Sequence, residues 1–443
     1  MDTESQKAQK PRKGRTERKK HGRSRFRLNR SSSFFKLFTI LGPGLIAANA
    51  GNDAGGIATF STSGATYQYN LIWALVVAGF CLAIVQEMCA RMGVITGKGL
   101  ADLIREQFGV RWTAVAMLAL LIANTGVTIS EFLGIAASVQ VFANNVHTPW
   151  VYVVVPISGL ALWWMVTKGS YRRVEKIFLF MSLGFLAYVP AAFASNPNWG
   201  EVGHSIVLPH ISGNNAYLLA AVALVGTTIS PYMQFFVQSS VADKGIPANE
   251  YFYEKLDVYS GTIFAVVIAA FVVITTGAAL YPHTVSNPLE AAMALNKLAG
   301  GFSLYLFGIG LFGASLLAAA VLPLSTAYGI CEAFGFERGV SRSFSEAPVF
   351  QSIFTGLIIL SVLITMIPNL PIIQVLVILQ SLNAAMVPIL LIFIILLVNN
   401  RRLMGRHVNG VAFNIISWAT VILVTALVLL LLGTTIWSAI TGG

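Results

Sequence analysis

The chain has 443 residues, is 56% hydrophobic and carries charge on only 11% of its positions. Soluble domains carry about 25% charged residues, so this composition excludes an ordinary soluble domain and implies an integral membrane protein. The net charge of +11 is concentrated, because residues 1–30 hold 12 of the 29 Lys and Arg.

That tail has no apolar run and is expected to be disordered over 1–33. Lying just before the first hydrophobic span, it is expected to sit on anionic cytoplasmic lipid and set topology, with nucleic acid not expected as a partner. No small-residue cleavage site follows a short apolar core, so it does not read as a signal peptide. Cys81, Cys89 and Cys331 lie in or beside apolar runs without metal spacing and read as packing residues.

Apolar runs of about 17–25 residues are candidate spanning helices. Eleven are predicted, over 36–65, 71–92, 112–143, 151–167, 177–195, 216–240, 258–281, 302–333, 349–367, 371–398 and 411–437. With the N-terminus in the cytoplasm, the tail and the cytoplasmic connections hold 28 of the 29 Lys and Arg; only Lys297 falls outside. This asymmetry predicts a cytoplasmic N-terminus and an extracytoplasmic C-terminus. The expected location is a plasma membrane, of the bacterial cytoplasmic kind.

Spans 1–5 (36–195) and 6–10 (216–398) make two halves of similar length. Residues 399–443 add a loop and the eleventh span. An odd number of spans per half inverts the second half relative to the first, as in many secondary transporters. The predicted fold class is therefore an all-α polytopic membrane protein with a 5+5 inverted repeat.

The first span contains Ala50-Gly51-Asn52-Asp53-Ala54-Gly55-Gly56. A carboxylate at membrane depth costs roughly 2.5–3.5 kcal/mol on insertion scales and reads as functional by default. Three glycines within six positions invite a break in the helix. The freed carbonyls beside Asp53 would form an oxygen-rich site, which suits hard divalent cations. The alternative is a carboxylate paired structurally with another helix.

In the second span, Glu87 stands four residues before Arg91, a spacing that puts both on one face as a structural ion pair. In the third, Glu131 has no cation nearby in sequence and reads either as lining a pathway or as a buried structural acid. The sixth span holds Gly226-Thr227-Thr228-Ile229-Ser230-Pro231-Tyr232-Met233-Gln234. Pro231 removes a backbone donor and clashes with the preceding turn, so a second break is expected opposite the first. Gln380 and Asn383 in the tenth span could line a cavity or bond between helices. All six histidines fall in the tail or in loops, which leaves no imidazole at membrane depth as a proton relay.

Several of these segments resemble the natural resistance-associated macrophage protein (Nramp) family of divalent metal transporters. They are Leu41-Gly42-Pro43-Gly44, Asp53-Ala54-Gly55-Gly56, Ala90 to Gly97, Glu131-Phe132-Leu133-Gly134, Gly226 to Pro231 and Arg401 to Gly405. The resemblance covers nearly the whole chain after residue 36. It implies a LeuT-like fold with unwound helices 1 and 6, and transport rather than enzymatic activity.

The departures from the family pattern are chemical. Asp53 keeps the metal-binding aspartate of the family's Asp-Pro-Gly-Asn signature, but Gly56 stands at its asparagine. Ser230-Pro231-Tyr232 replaces Met-Pro-His, so the sulfur ligand is gone. Thr128 stands at a proton-linked aspartate, and Gln238 stands near a proton-linked histidine. This pattern resembles the branch called Nramp-related magnesium transporters. Loss of a soft thioether in favour of hydroxyl and carbonyl groups favours Mg²⁺ and Mn²⁺. Small Gly56 and Ser230 would leave room for a partly hydrated ion. Met233 lies close enough in sequence to the break that a retained sulfur contact stays open.

The expected function is an alternating-access importer of Mg²⁺, with Mn²⁺ also accepted, not coupled to protons. The metal site is expected from Asp53, the backbone at Ala50 and Thr227, Asn52, Gly56 and Ser230. Glu131, Gln234, Gln238, Gln380 and Asn383 are expected to line the pathway. The ions are substrates and no cofactor is expected. Alternatives are a proton-coupled Mn²⁺ or Fe²⁺ importer of the ordinary family type, a sodium-coupled small-solute symporter, and a transport-dead metal sensor.

Overall fold

The structure is a computed structural model. It describes residues 51–168, 183–339 and 342–441, with side chains up to 434 except that of Lys297. The basic tail, Ala50, the first half of the first predicted span and residues 177–182 of the fifth lie outside the described residues. Every regular element among the described residues is helical.

The helices are α1 (Ala54–Tyr67), α2 (Ile72–Thr96), α3 (Leu100–Phe142), α4 (Val151–Thr167) and α5 (Tyr188–Ala194), then α6 (Asn215–Thr228), α7 (Pro231–Lys244) and α8 (Tyr251–Leu280). They continue with α9 (Ser303–Phe334), α10 (Pro348–Thr365), α11 (Ile372–Val398) and α12 (Val411–Thr441). Short surface helices at Trp199–Val207 and Pro288–Met293 sit in the longer connections. Among the described residues, eight helical segments, taking α6 and α7 as one, are long and apolar enough to cross a bilayer; α4 and Leu183–Ala194 are shorter apolar helices. The protein is a multi-pass membrane protein.

Two ends differ from the sequence expectation. Helix α3 begins at Leu100 rather than 112, with a kink at Gly109 (φ 76°). Helix α8 begins at Tyr251 rather than 258. In both cases the added turns carry charges, Asp102, Arg105 and Glu106 in one and Glu254, Lys255 and Asp257 in the other, which interrupt the apolar run; in α3 the chain also leaves helical geometry at Gly109, so the added turns join the expected span across a kink. Leu100, Leu103 and Ile104 are fully buried, so the added turns of α3 are amphipathic.

The interior is assembled from small-residue contacts, as expected where lipid supplies no hydrophobic drive between helices. Helix α9 packs along α3, α8 against α1 and α2, and α11 against both α3 and α6. A methyl group on Gly226 would fall 2.7 Å from Ala384 Cβ and overlap the backbone of Gln380. Glycine at that position lets α6 and α11 touch backbone to backbone.

Candidate metal site at the helix breaks

Asp53 is the N-cap of α1. Its backbone is extended (φ −76°, ψ −176°), and its Oδ1 accepts from Gly56 N at 2.7 Å. An N-cap carboxylate satisfies one of the donors that the first helical turn leaves open and meets the positive end of the helix dipole. Asp53 is 2% exposed. Glycine at 56 is required by close approach, because a Cβ there would overlap Gly51 O and lie 2.9 Å from Thr227 Oγ1.

Glu131 reaches the same helix end from α3. Its Oε2 accepts from Ala54 N at 3.4 Å, and its Oε1 accepts from Ser130 Oγ at 3.3 Å. The Asp53 and Glu131 carboxyl groups both face the start of α1 and lie within electrostatic reach of each other. Glu131 is fully buried. Two carboxylates this near each other repel strongly in a low-dielectric interior, a repulsion that a proton or a cation between them would relieve. Glu131, expected either to line a pathway or to be a buried structural acid, stands beside Asp53.

The second break lies opposite. Helix α6 ends at Thr228, Ile229 leaves helical geometry (φ −116°, ψ 71°), and Ser230 caps α7 with Pro231 in its first turn. Proline fits there because the first-turn N–H has no intrahelical acceptor. Gly226 O accepts from Ser230 Oγ at 3.0 Å and from Asn383 Nδ2 at 2.8 Å. Asn383 Nδ2 also lies 2.8 Å from Ser230 Oγ, which ties α11 to the break. The two breaks touch through Thr227, whose Oγ1 donates to Gly51 O at 3.5 Å.

Asp53, Gly56, Thr227 and Glu131 thus converge, with Ser230, Asn383 and Gln380 adjoining. Gln380 lies against Gly55, where a Cβ would overlap its side-chain amide. Gln234 is one turn into α7, donating Nε2 to Ser230 O at 3.4 Å. Asn52 lines a small cavity with Gly51, Phe60 and Thr228, and its Nδ2 has no hydrogen-bond partner among the described residues. Gln238 lies two turns into α7 and donates to Lys98 O at 3.1 Å, at the Lys/Arg-rich end of the bundle. Met233 is fully buried in the apolar core.

Tyr232 is a neighbour that the sequence reading did not assign. It is 2% exposed and lies within electrostatic reach of both carboxylates. The available signal was its place directly after the helix-breaking Pro231. Glu87 and Arg91 form the expected pair, with Nη2 to Oε2 at 3.2 Å.

A polytopic helical bundle in which the interruption between α6 and α7 meets the N-terminal end of α1 has the arrangement of LeuT-like membrane transporter folds. The model described as natural resistance-associated macrophage protein-like matches residues 44–434, and the chain belongs to this Nramp family. It is 28% identical to the divalent metal cation transporter MntH of Pectobacterium carotovorum subsp. carotovorum (strain PC1), over 91% of this chain and 96% of that protein. It is also 28% identical to the metal transporter Nramp3.1 of Populus trichocarpa, over 91% of this chain and 82% of that one. The fold superposes on a manganese transporter of Eremococcus coleocola with a TM-score of 0.73 at 21% identity, covering 93% and 90% of the two chains. MhsT in complex with L-phenylalanine superposes at 0.55 and 14% identity, over 85% and 97%.

Proposed function

We propose that this protein imports divalent metal ions by alternating access, taking Mg²⁺ with Mn²⁺ also accepted, and without proton coupling. The observation that carries the reading is the Asp53–Glu131 pair at the end of α1. It offers oxygen ligands at a point where, among the described residues, neither acid forms a salt bridge with a basic side chain. Relatives named as divalent metal cation transporters support the substrate class.

Asp53 is the proposed ligand, with Ser230, the Thr227 segment, the Ala50 carbonyl and the space left by Gly56 completing a partly hydrated shell. Asn52, which lines a small cavity with Gly51 and Thr228, is a further proposed member of that shell. Glu131, Gln380, Asn383 and Gln234 flank the path, and Gln238 lies further along it toward the Lys/Arg-rich end. Thioether would favour transition metals, and a serine in its place favours hard ions such as Mg²⁺ and Mn²⁺. Mg²⁺ gives up its waters reluctantly and is usually held by one or two carboxylates plus water.

Residues 36–195 and 216–398 form the proposed inverted repeats, and 399–443 the added loop and helix. The N-terminus is cytoplasmic, the C-terminus extracytoplasmic and the membrane bacterial. The tail over 1–33 rests on anionic lipid. An inside-negative potential supplies about 2.3 kcal/mol per charge per 100 mV, hence about 4.6 for a divalent ion. That sustains over about a thousandfold accumulation on voltage alone.

One observation favours a second reading. A carboxyl pair in contact can hold a proton as well as a metal ion, which would suit a proton-coupled Mn²⁺ or Fe²⁺ importer. Proteoliposomes with a Mg²⁺ indicator and an internal pH probe separate the two. Voltage-driven Mg²⁺ entry without acidification supports the first reading; acidification in step with metal entry replaces it with the second.

A further inference from the structure

A cavity of about 290 Å³ opens between the end of α3, the start of α4, the end of α10 and the start of α11. It lies at the end of the bundle away from the Lys/Arg-rich connections. It is remote from the helix breaks and no step of ion transport uses it. Its wall carries Gln140, His147, Thr148, Tyr152 and Asn369, and its lining includes no Asp, Glu, Lys or Arg.

Gln140 is the unusual member. It is 8% exposed, and its Nε2 is committed to Val146 O at 2.7 Å. That bond fixes which end of the amide is the donor and leaves Oε1 with no hydrogen-bond partner. A buried amide oxygen left unpaired is costly, and it calls for a ligand that brings a donor. Thr148 and Tyr152 add hydroxyl groups and His147 adds an imidazole, so the wall presents donors and acceptors without net charge. Such a wall suits a zwitterion better than a lone ion, whose charge would lose its water with no counter-charge.

The surface below the cavity is apolar. On α4, Val153, Ile157, Leu160 and Trp164 are 46–66% exposed in one helical stripe. On α10, Ile359, Leu363 and Ile367 are 50–61% exposed. The two helices are joined by Trp163 Nε1 donating to Thr355 Oγ1 at 3.0 Å. The α4 stripe runs roughly 16 Å from the cavity mouth, at about 1.5 Å per residue, which is acyl-chain length. Trp150 and Tyr152 stand exposed at its head, where interfacial aromatics belong.

We infer that this cavity binds the headgroup of a phospholipid carrying a primary ammonium, with its acyl chains lying on α4 and α10. The ammonium donates to Gln140 Oε1 and the Asn369 amide. The phosphate accepts from Thr148, Tyr152 and His147. The ligand chemistry is an N–H donor and a phosphate on one small headgroup, so phosphatidylcholine, whose trimethylated nitrogen has no N–H, is the matched control.

The test uses the full chain in detergent, with binding of short-chain phosphatidylethanolamine, phosphatidylcholine and phosphatidylglycerol read by native mass spectrometry. The ethanolamine lipid is expected to bind about tenfold more tightly than the choline lipid, from one donor–acceptor pair. Gln140→Met keeps the side-chain length and removes the acceptor, and is expected to abolish that preference while leaving metal flux intact. Equal retention of the ethanolamine and choline lipids by the unmodified chain overturns the proposal, and that comparison does not depend on the variant folding. Tighter binding of phosphatidylglycerol than of phosphatidylethanolamine also overturns it, as does an unchanged preference in Gln140→Met.

Discussion

Two buried acidic sites in this bundle are solved in opposite ways. Glu87 on α2 is closed by the protein itself. Arg91 lies 3.2 Å from it, the Tyr251 hydroxyl donates to it, and Arg91 is held in turn by His407 O at 3.2 Å, by Asn409 and by the Phe413 ring. Asp53 and Glu131 are met by backbone N–H groups, by the end of a helix and by each other. The first arrangement has its counter-ion covalently built in and joins α2 to the loop before α12. The second has no salt-bridge partner among the described residues, and the proposed transported ion would supply the matching charge. A carboxylate at membrane depth is thus structural or functional according to whether a cation is fixed beside it.

The comparison can be broken at either site. Asp53→Ala should bring Mg²⁺ uptake down to the level of empty liposomes while the protein still purifies as a folded species. Uptake near the unmodified rate would remove Asp53 from the site. Arg91→Met strands the Glu87 charge and should cost about 3–5 kcal/mol of stability, as for other buried pairs that lose one member. The double change Glu87→Gln with Arg91→Met should recover most of that loss in a thermal-unfolding assay. If the double variant is no more stable than the single, the pair is not what holds that region.

Smaller effects sharpen the contrast. Glu131→Gln removes one charge from the open pair and should raise the Mg²⁺ concentration for half-maximal uptake about thirtyfold, the size of one charge-assisted hydrogen bond. Uptake by this variant should still follow voltage. Its complete loss together with loss of acidification would favour the proton-coupled reading. Asn383→Leu unties α11 from Gly226 O and Ser230 Oγ and should weaken uptake about fivefold, as expected for neutral hydrogen bonds. Deleting residues 1–33 should leave the uptake rate unchanged, whereas a sensor that recruits partners through its tail would lose its output.

Much of this was legible locally. Apolar runs located the membrane helices, because crossing a bilayer demands a length and a composition that no other element needs. The i, i+4 spacing of Glu87 and Arg91 fixed their pairing, since one helix turn brings them together whatever surrounds it. Gly226 with Pro231 announced the break between α6 and α7 through backbone chemistry alone. Where charges interrupted an apolar run, the helix ends at Leu100 and Tyr251 were missed, because hydropathy reports burial in lipid and not helicity.

The rest was decided by contacts between distant residues. Glu131 meets Asp53 and Ala54 only because α3 passes the start of α1, and no local pattern encodes that crossing. Asn383 reaches Gly226 across 157 positions. Sequence by itself determined the membrane class, the break between α6 and α7 and the lone carboxylate. Tertiary structure alone decided that this carboxylate has a second beside it, since side-chain partnership across helices depends on packing rather than on spacing.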